Sequence, residues 1–218
     1  MRYELIIFDC DGVLVDSERI AIKIESEGLT ALGWPLSPEE VIERFVGRSS
    51  AYGHAEIVAK LGAAIAESWS AEFWRKYRAA LETDVVAVEG VAEALDQIDT
   101  PTCVASSSDH DHLRLVLNRT GLYTRFEGRI FSATEVQNGK PAPDLFLHAA
   151  ATLGVAPSSC AVIEDSAPGI LAAQSAGMDA YAFLGGVTPP ERLLLPGVIP
   201  VANMRDLPDQ LRGRGGEA

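Results

Sequence analysis

Two carboxylates stand two residues apart in Asp9-Cys10-Asp11-Gly12, directly behind the apolar run Leu5–Phe8. In an extended chain such residues face the same side, so both can be aimed at one ligand. A carboxylate alone is a poor nucleophile. Beside a metal that neutralises phosphoryl oxygens, it can attack phosphorus and form an aspartyl-phosphate. The second carboxylate is then placed to protonate the leaving oxygen and later to deprotonate water. Gly12 permits the turn that follows. In isolation, the same four residues also describe a solvated acidic turn.

Three more clusters add to this one. Ser106-Ser107-Ser108-Asp109 leads into a helical pattern, where hydroxyls and free backbone N–H groups make a phosphate cradle. Ser108 or Asp109 would equally serve there as an ordinary N-cap. Gly139-Lys140-Pro141-Ala142-Pro143-Asp144 holds a lysine in a proline-stiffened loop, a point charge suited to a phosphoryl oxygen and an aspartate; a surface lysine fits the same residues. Ile163-Glu164-Asp165-Ser166 ends an apolar run in two adjacent carboxylates, which is costly unless a cation meets them. Oxygen donors suit a hard ion, magnesium rather than zinc. Helix-terminal charges facing solvent are the alternative. Four such clusters in one chain carry the reading jointly.

Short apolar runs recur at 4–9, 102–107, 129–133, 160–165, 179–183 and 198–202. Nearly continuous apolar character is how parallel strands read when both faces are covered. Between them, Val91, Ala94, Leu95 and Ile98 follow helical spacing, as do Leu113, Val116 and Leu117. Further helices are expected at 144–153 and 168–176, stopped by Gly154 and Gly177. This alternation predicts an α/β fold with a Rossmann-like parallel sheet. From Asp16 to Glu82 the pattern is helical throughout, with a capping box at Ser37-Pro38-Glu39-Glu40. The expected organisation is a catalytic core over 1–15 and 83–211, an inserted all-helical cap over 16–82, and a disordered tail at 212–218.

Composition narrows the partners. With a formal charge of -13 over 218 residues, the chain lacks the clustered cations of a nucleic-acid surface or an anionic-membrane surface. A small anionic substrate stays compatible, because one local cation cluster overrides a negative envelope. The start, MRYELIIFD, has no signal-peptide layout, and its apolar run is far below a membrane span. Cys10, Cys103 and Cys160 are odd in number and widely spaced, which points to reduced thiols in a cytoplasmic protein. The pattern assigns no oligomeric state.

Phe8-Asp9-Cys10-Asp11-Gly12-Val13-Leu14-Val15-Asp16-Ser17-Glu18 resembles the first motif of the haloacid dehalogenase-like hydrolases. Ser106, Lys140 in GKPAPD and Glu164-Asp165 in IEDSAPG resemble the second, third and fourth. The resemblance spans nearly the whole chain. It is closest to the subfamily of phosphoglycolate phosphatase, sugar-phosphate phosphatases and β-phosphoglucomutase. It implies that Asp9 attacks phosphorus, Asp11 is general acid and base, and Ser106 and Lys140 hold the phosphoryl group, with Ser107 and Ser108 beside it. It implies Mg2+ bound by Asp9, the Asp11 backbone carbonyl and Asp165, with Glu164 a direct ligand or just behind one. The substrate implied is a small phosphorylated metabolite.

Within the family, the mutase branch carries a histidine where this chain has Ala21 and a basic residue where it has Asp109. An acidic group there would repel a second phosphate, so hydrolysis is preferred to phosphosugar transfer. Dehalogenases lack the second aspartate. A phosphoacceptor signalling module has no inserted cap and places its acceptor after a middle strand. In the cap, Phe45-Val46-Gly47-Arg48-Ser49-Ser50 resembles a specificity loop, making Arg48 the candidate for the substrate's remote anionic group; a surface arginine is the alternative. Trp69, Phe73, Trp74 and Tyr77 recur at helical spacing and are expected in the cap core. His54, His112 and His148 are expected as surface or packing residues, and Cys10 should point away from both carboxylates.

Overall fold

Six apolar runs become six strands in the computed structural model, which describes residues 2–48 and 50–213. They are β1 (Leu5–Phe8), β2 (Thr102–Ser106), β3 (Ile130–Ser132), β4 (Cys160–Glu164), β5 (Asp179–Phe183) and β6 (Ile199–Val201). All pair in parallel, in the order β3-β2-β1-β4-β5-β6. Every residue of β1 and β4 is buried, which explains why these runs show no alternation. On one face of the sheet, Leu5 and Ile7 join Cys103, Val162, Phe146 and Ile170 in a continuous core. Burying each large side chain there contributes about 1.5–3 kcal/mol.

Chain order fixes where a ligand must go. From β1 the sheet grows through β2 and β3 on one side and through β4, β5 and β6 on the other. The crevice beyond the carboxyl ends of β1 and β4 is therefore the topological switch point, the binding position of open α/β sheets.

The chain divides into two compact units, one from Ser17 to Val85 and the other from the residues on either side of it. The inserted unit is helical: α1 (Glu18–Ala31), α2 (Pro38–Phe45), α3 (Ser50–Leu61) and α4 (Ala63–Asp84). The capping box that starts α2 is formed, with Ser37 Oγ accepting from Glu40 N at 3.3 Å and Glu40 Oε2 accepting from Ser37 N at 2.8 Å. The other unit adds α5 (Val91–Asp96), α6 (His110–Arg119), α7 (Tyr123–Phe126), α8 (Asp144–Thr152), α9 (Ala167–Ser175), α10 (Pro190–Leu193) and α11 (Leu207–Gly213). Arg212 and Gly213 thus close a helix rather than begin a tail; the rest of the expected tail lies outside the described residues. Among the described residues, no helix is long and apolar enough to cross a membrane.

Candidate active site

The turn behind β1 is built by the chain itself. Leu14 N and Val15 N both donate to Cys10 O, and Gly12 N donates to Val15 O at 2.8 Å. Gly12 adopts φ +80°, and a Cβ there would collide with the Asp165 carboxylate, so the position admits only glycine. Asp9 N donates to Ile163 O at 3.0 Å, extending the β1–β4 pairing by one residue and locking the nucleophile candidate beside the end of β4. Cys10 is fully buried, and burial pushes its thiol well above the usual range, as befits an inert packing group.

Lys140 ties the site together. Its Nζ donates to Asp9 Oδ1 at 2.6 Å, to Glu164 Oε1 at 2.6 Å and to Ala105 O at 3.1 Å, which uses all three donors. The side chain is only 4% exposed, beside 11% for Asp9 and 0% for Glu164. Burial penalises the ammonium, yet the two carboxylates outweigh that penalty and hold its pKa above the ordinary lysine value. The same burial pushes the Asp9 carboxyl up to about 7, Lys140 pulling it down and Glu164 pushing it up.

Glu164 is fully engaged. Its Oε2 accepts from Asp165 N at 3.0 Å, Ser166 N at 2.9 Å and Ser166 Oγ at 2.8 Å, while Oε1 takes Lys140. A Cβ at Gly169 would overlap this carboxylate, so α9 starts close against it. Ser166 caps α9 by accepting from Gly169 N at 3.2 Å.

Asp9, Glu164 and Asp165 each present an oxygen within 4.8 Å of the others, all three buried. Lys140 meets two of these carboxylates, Asp9 and Glu164, so the three together carry more negative charge than one ammonium offsets. That donor set, all oxygen and short of positive charge, fits a hard divalent cation such as magnesium.

Ser106 ends β2, is 2% exposed, and accepts from Ser108 N at 3.1 Å. Ser107 is exposed in the loop that follows. Ser108 turns its hydroxyl onto Asp11 Oδ2 at 2.8 Å, a bond that sequence spacing did not anticipate for a residue expected to touch substrate. Asp109, not Ser108, caps α6, accepting from His112 N at 2.8 Å.

The expectation for His112 is corrected. Its Nε2 lies 2.9 Å from Asp11 Oδ1, across 101 residues of sequence, and its side chain is 17% exposed. His148 and His110 are also engaged, both facing Glu135, at 3.1 Å and 2.8 Å.

Within the inserted unit, the Arg48 guanidinium lies 5.1 Å from the Tyr52 ring centroid. Arg48 also lines a pocket of about 210 Å³ with Glu25, His54, Trp69, Phe73 and Trp74. Trp69 and Tyr77 are buried as expected, but Trp74 is 55% exposed and belongs to the pocket wall rather than the cap core. Ser49 lies outside the described residues.

Parallel sheet, inserted helices and a buried Asp–Lys–Glu–Asp cluster at the switch point define a class. The chain belongs to the haloacid dehalogenase-like hydrolases, whose family model matches residues 3–177. Among characterised relatives, it is 30% identical over 217 residues to the 6-phosphogluconate phosphatase of Escherichia coli, covering 98% of this chain and 97% of that protein. It is 30% identical over 190 residues to phosphoglycolate phosphatase of Xanthomonas campestris pv. campestris, covering 85% and 86%. Its structure superposes with a TM-score of 0.91 on a haloacid dehalogenase-like protein of unknown function from Agrobacterium tumefaciens, at 38% identity and 98% and 99% coverage.

Proposed function

We propose that the chain is a magnesium-dependent phosphomonoester hydrolase acting on a small phosphorylated metabolite, a sugar phosphate or phosphorylated sugar acid. The observation that carries this reading is Lys140 bridging Asp9 and Glu164 with Asp165 alongside, at the ends of β1 and β4. The three unpaired, buried cysteines suit a reducing cytoplasm.

Asp9 attacks phosphorus, and the ester oxygen leaves with a proton from the Asp11 carboxyl. This gives the free alcohol and an aspartyl-phosphate on Asp9. Asp11, now a carboxylate, takes a proton from a water whose oxygen attacks the same phosphorus; phosphate departs and Asp9 is restored. Ser106 holds a phosphoryl oxygen through both steps, and the Lys140 donor now on Asp9 Oδ1 passes to a phosphoryl oxygen as Asp9 bonds to phosphorus. Asp9, the Asp11 carbonyl and Asp165 would hold magnesium, whose charge would offset that of the phosphoryl oxygens as the carboxylate approaches. Glu164, with both oxygens committed to protein donors, orients Lys140 and the Asp165 backbone from behind.

A panel of phosphorylated metabolites assayed for phosphate release tests the reading. Release is expected to stop with a chelator and to return with added magnesium. Undiminished release in the chelator would overturn the metal assignment, and no release from any ester would overturn the hydrolase.

Hydrolysis is favoured over the mutase alternative. Asp109 is committed to capping α6, leaving an acidic group where a second phosphate would need a base.

Arg48 is proposed to read the substrate's far end. Arg48→Ala is expected to raise KM for 6-phosphogluconate about 10-fold or more, as losing a charge-assisted hydrogen bond does, and to leave 4-nitrophenyl phosphate nearly unchanged. Equal effects on both esters would remove the assignment.

A further inference from the structure

We propose that His112 is a positioning residue for the Asp11 carboxyl, an inference that rests on the hydrolase reading above. Asp11 is gripped by both oxygens: His112 Nε2 meets Oδ1 at 2.9 Å and Ser108 Oγ meets Oδ2 at 2.8 Å. Neither partner is loosely held. The backbone of His112 is tied to the Asp109 cap at 2.8 Å, in the first turn of α6. Ser108 is fixed at both its backbone groups, its N–H on Ser106 Oγ at 3.1 Å and its carbonyl under Ser132 Oγ at 2.8 Å. Ser132 is in turn held at its own N–H by Glu135 Oε1 at 2.6 Å. The frame around Asp11 therefore reaches from β2 and α6 to the turn after β3.

The chemistry asks for such a frame. A carboxyl swinging about two torsions has two equivalent oxygens, and only one can face the ester oxygen that leaves. A histidine nitrogen and a serine hydroxyl can each donate or accept. The same two bonds therefore persist whether Asp11 carries its proton or has delivered it. Orientation is kept through both halves of the cycle, and neither partner need touch the substrate.

Two esters separate positioning from bulk structure. Phenyl phosphate has a poor leaving group that needs the proton from Asp11; 4-nitrophenyl phosphate has a good one that does not. The ratio kcat/KM runs from free enzyme through alcohol release, so it isolates the acid step. His112→Ala is expected to lower kcat/KM about 10- to 100-fold for phenyl phosphate and no more than about threefold for 4-nitrophenyl phosphate. His112→Gln, whose amide reaches a position near the lost Nε2, is expected to recover most of the difference. A lower folded fraction reduces both esters alike and leaves their ratio unchanged. Equal losses on the two esters, or no loss, would overturn the positioning role while leaving the hydrolase intact. A wild-type protein inactive on both would overturn the hydrolase reading and this inference with it.

Discussion

Asp9→Asn is expected to abolish turnover, by at least about 10^4-fold, without lowering the melting temperature. An amide has no negative oxygen to attack phosphorus, so no covalent intermediate forms. The stability half follows from the neighbourhood. Burial pushes the Asp9 carboxyl up to about 7 even with Lys140 at 2.6 Å, so the folded chain holds this charge against its own environment. Asparagine keeps the shape and an oxygen for Lys140 while removing one of three crowded negative charges. Losing activity and keeping stability is the signature of a group placed for chemistry. Phosphate release measured beside thermal unfolding checks both halves. A near-wild-type rate would remove the nucleophile, and a clear loss of stability would show Asp9 to be structural.

Lys140→Met should do the reverse to stability and much the same to rate. Methionine fills the volume but leaves Asp9 and Glu164 without their shared ammonium, in a site where Lys140 and Glu164 are almost wholly enclosed. Removing one partner of a buried ion pair typically costs about 3–5 kcal/mol, because the remaining charge cannot be solvated. In a chain of this size that lowers Tm by about 10 °C. Turnover should fall about 10^3-fold, since a donor aimed at developing phosphoryl charge is gone. Calorimetry in chelator-containing buffer measures the first effect. A variant as stable as the parent would mean that Asp9 and Glu164 do not depend on one shared cation.

These two expectations differ in sign over a single 2.6 Å contact, and the sequence alone could not have separated them. It named both residues from cluster and spacing. It gave no information on which was enclosed or on how many carboxylates one lysine serves. The six strands were readable because runs buried on both faces, such as Leu5–Phe8 and Cys160–Glu164, announce themselves without periodicity. In the core, α5, α6, α8 and α9 were readable from apolar spacing and stop signals, and α2 from its capping box, whereas the short α7, α10 and α11 carry too few turns to show a period. His112 was not readable. Its partner lies 101 residues away, and its direction depends on Asp109 starting α6 where it does. Ser108 escaped for the same reason, since a hydroxyl near phosphate chemistry looks alike whether it meets substrate or a second side chain. Trp74 shares the helical spacing of Trp69 and Tyr77, and spacing says nothing of which wall faces a pocket.

The insertion point has a wider meaning. Asp16 N donates to Val86 O at 2.9 Å and Val88 N to Leu14 O at 3.0 Å, with Val15 bridging Ala87, so the two ends of the break in the core are stitched to each other by backbone bonds. The core does not need the intervening residues to hold its seam shut. The intervening helices therefore form a cassette, whose sequence can change without undoing the backbone bonds that close the core.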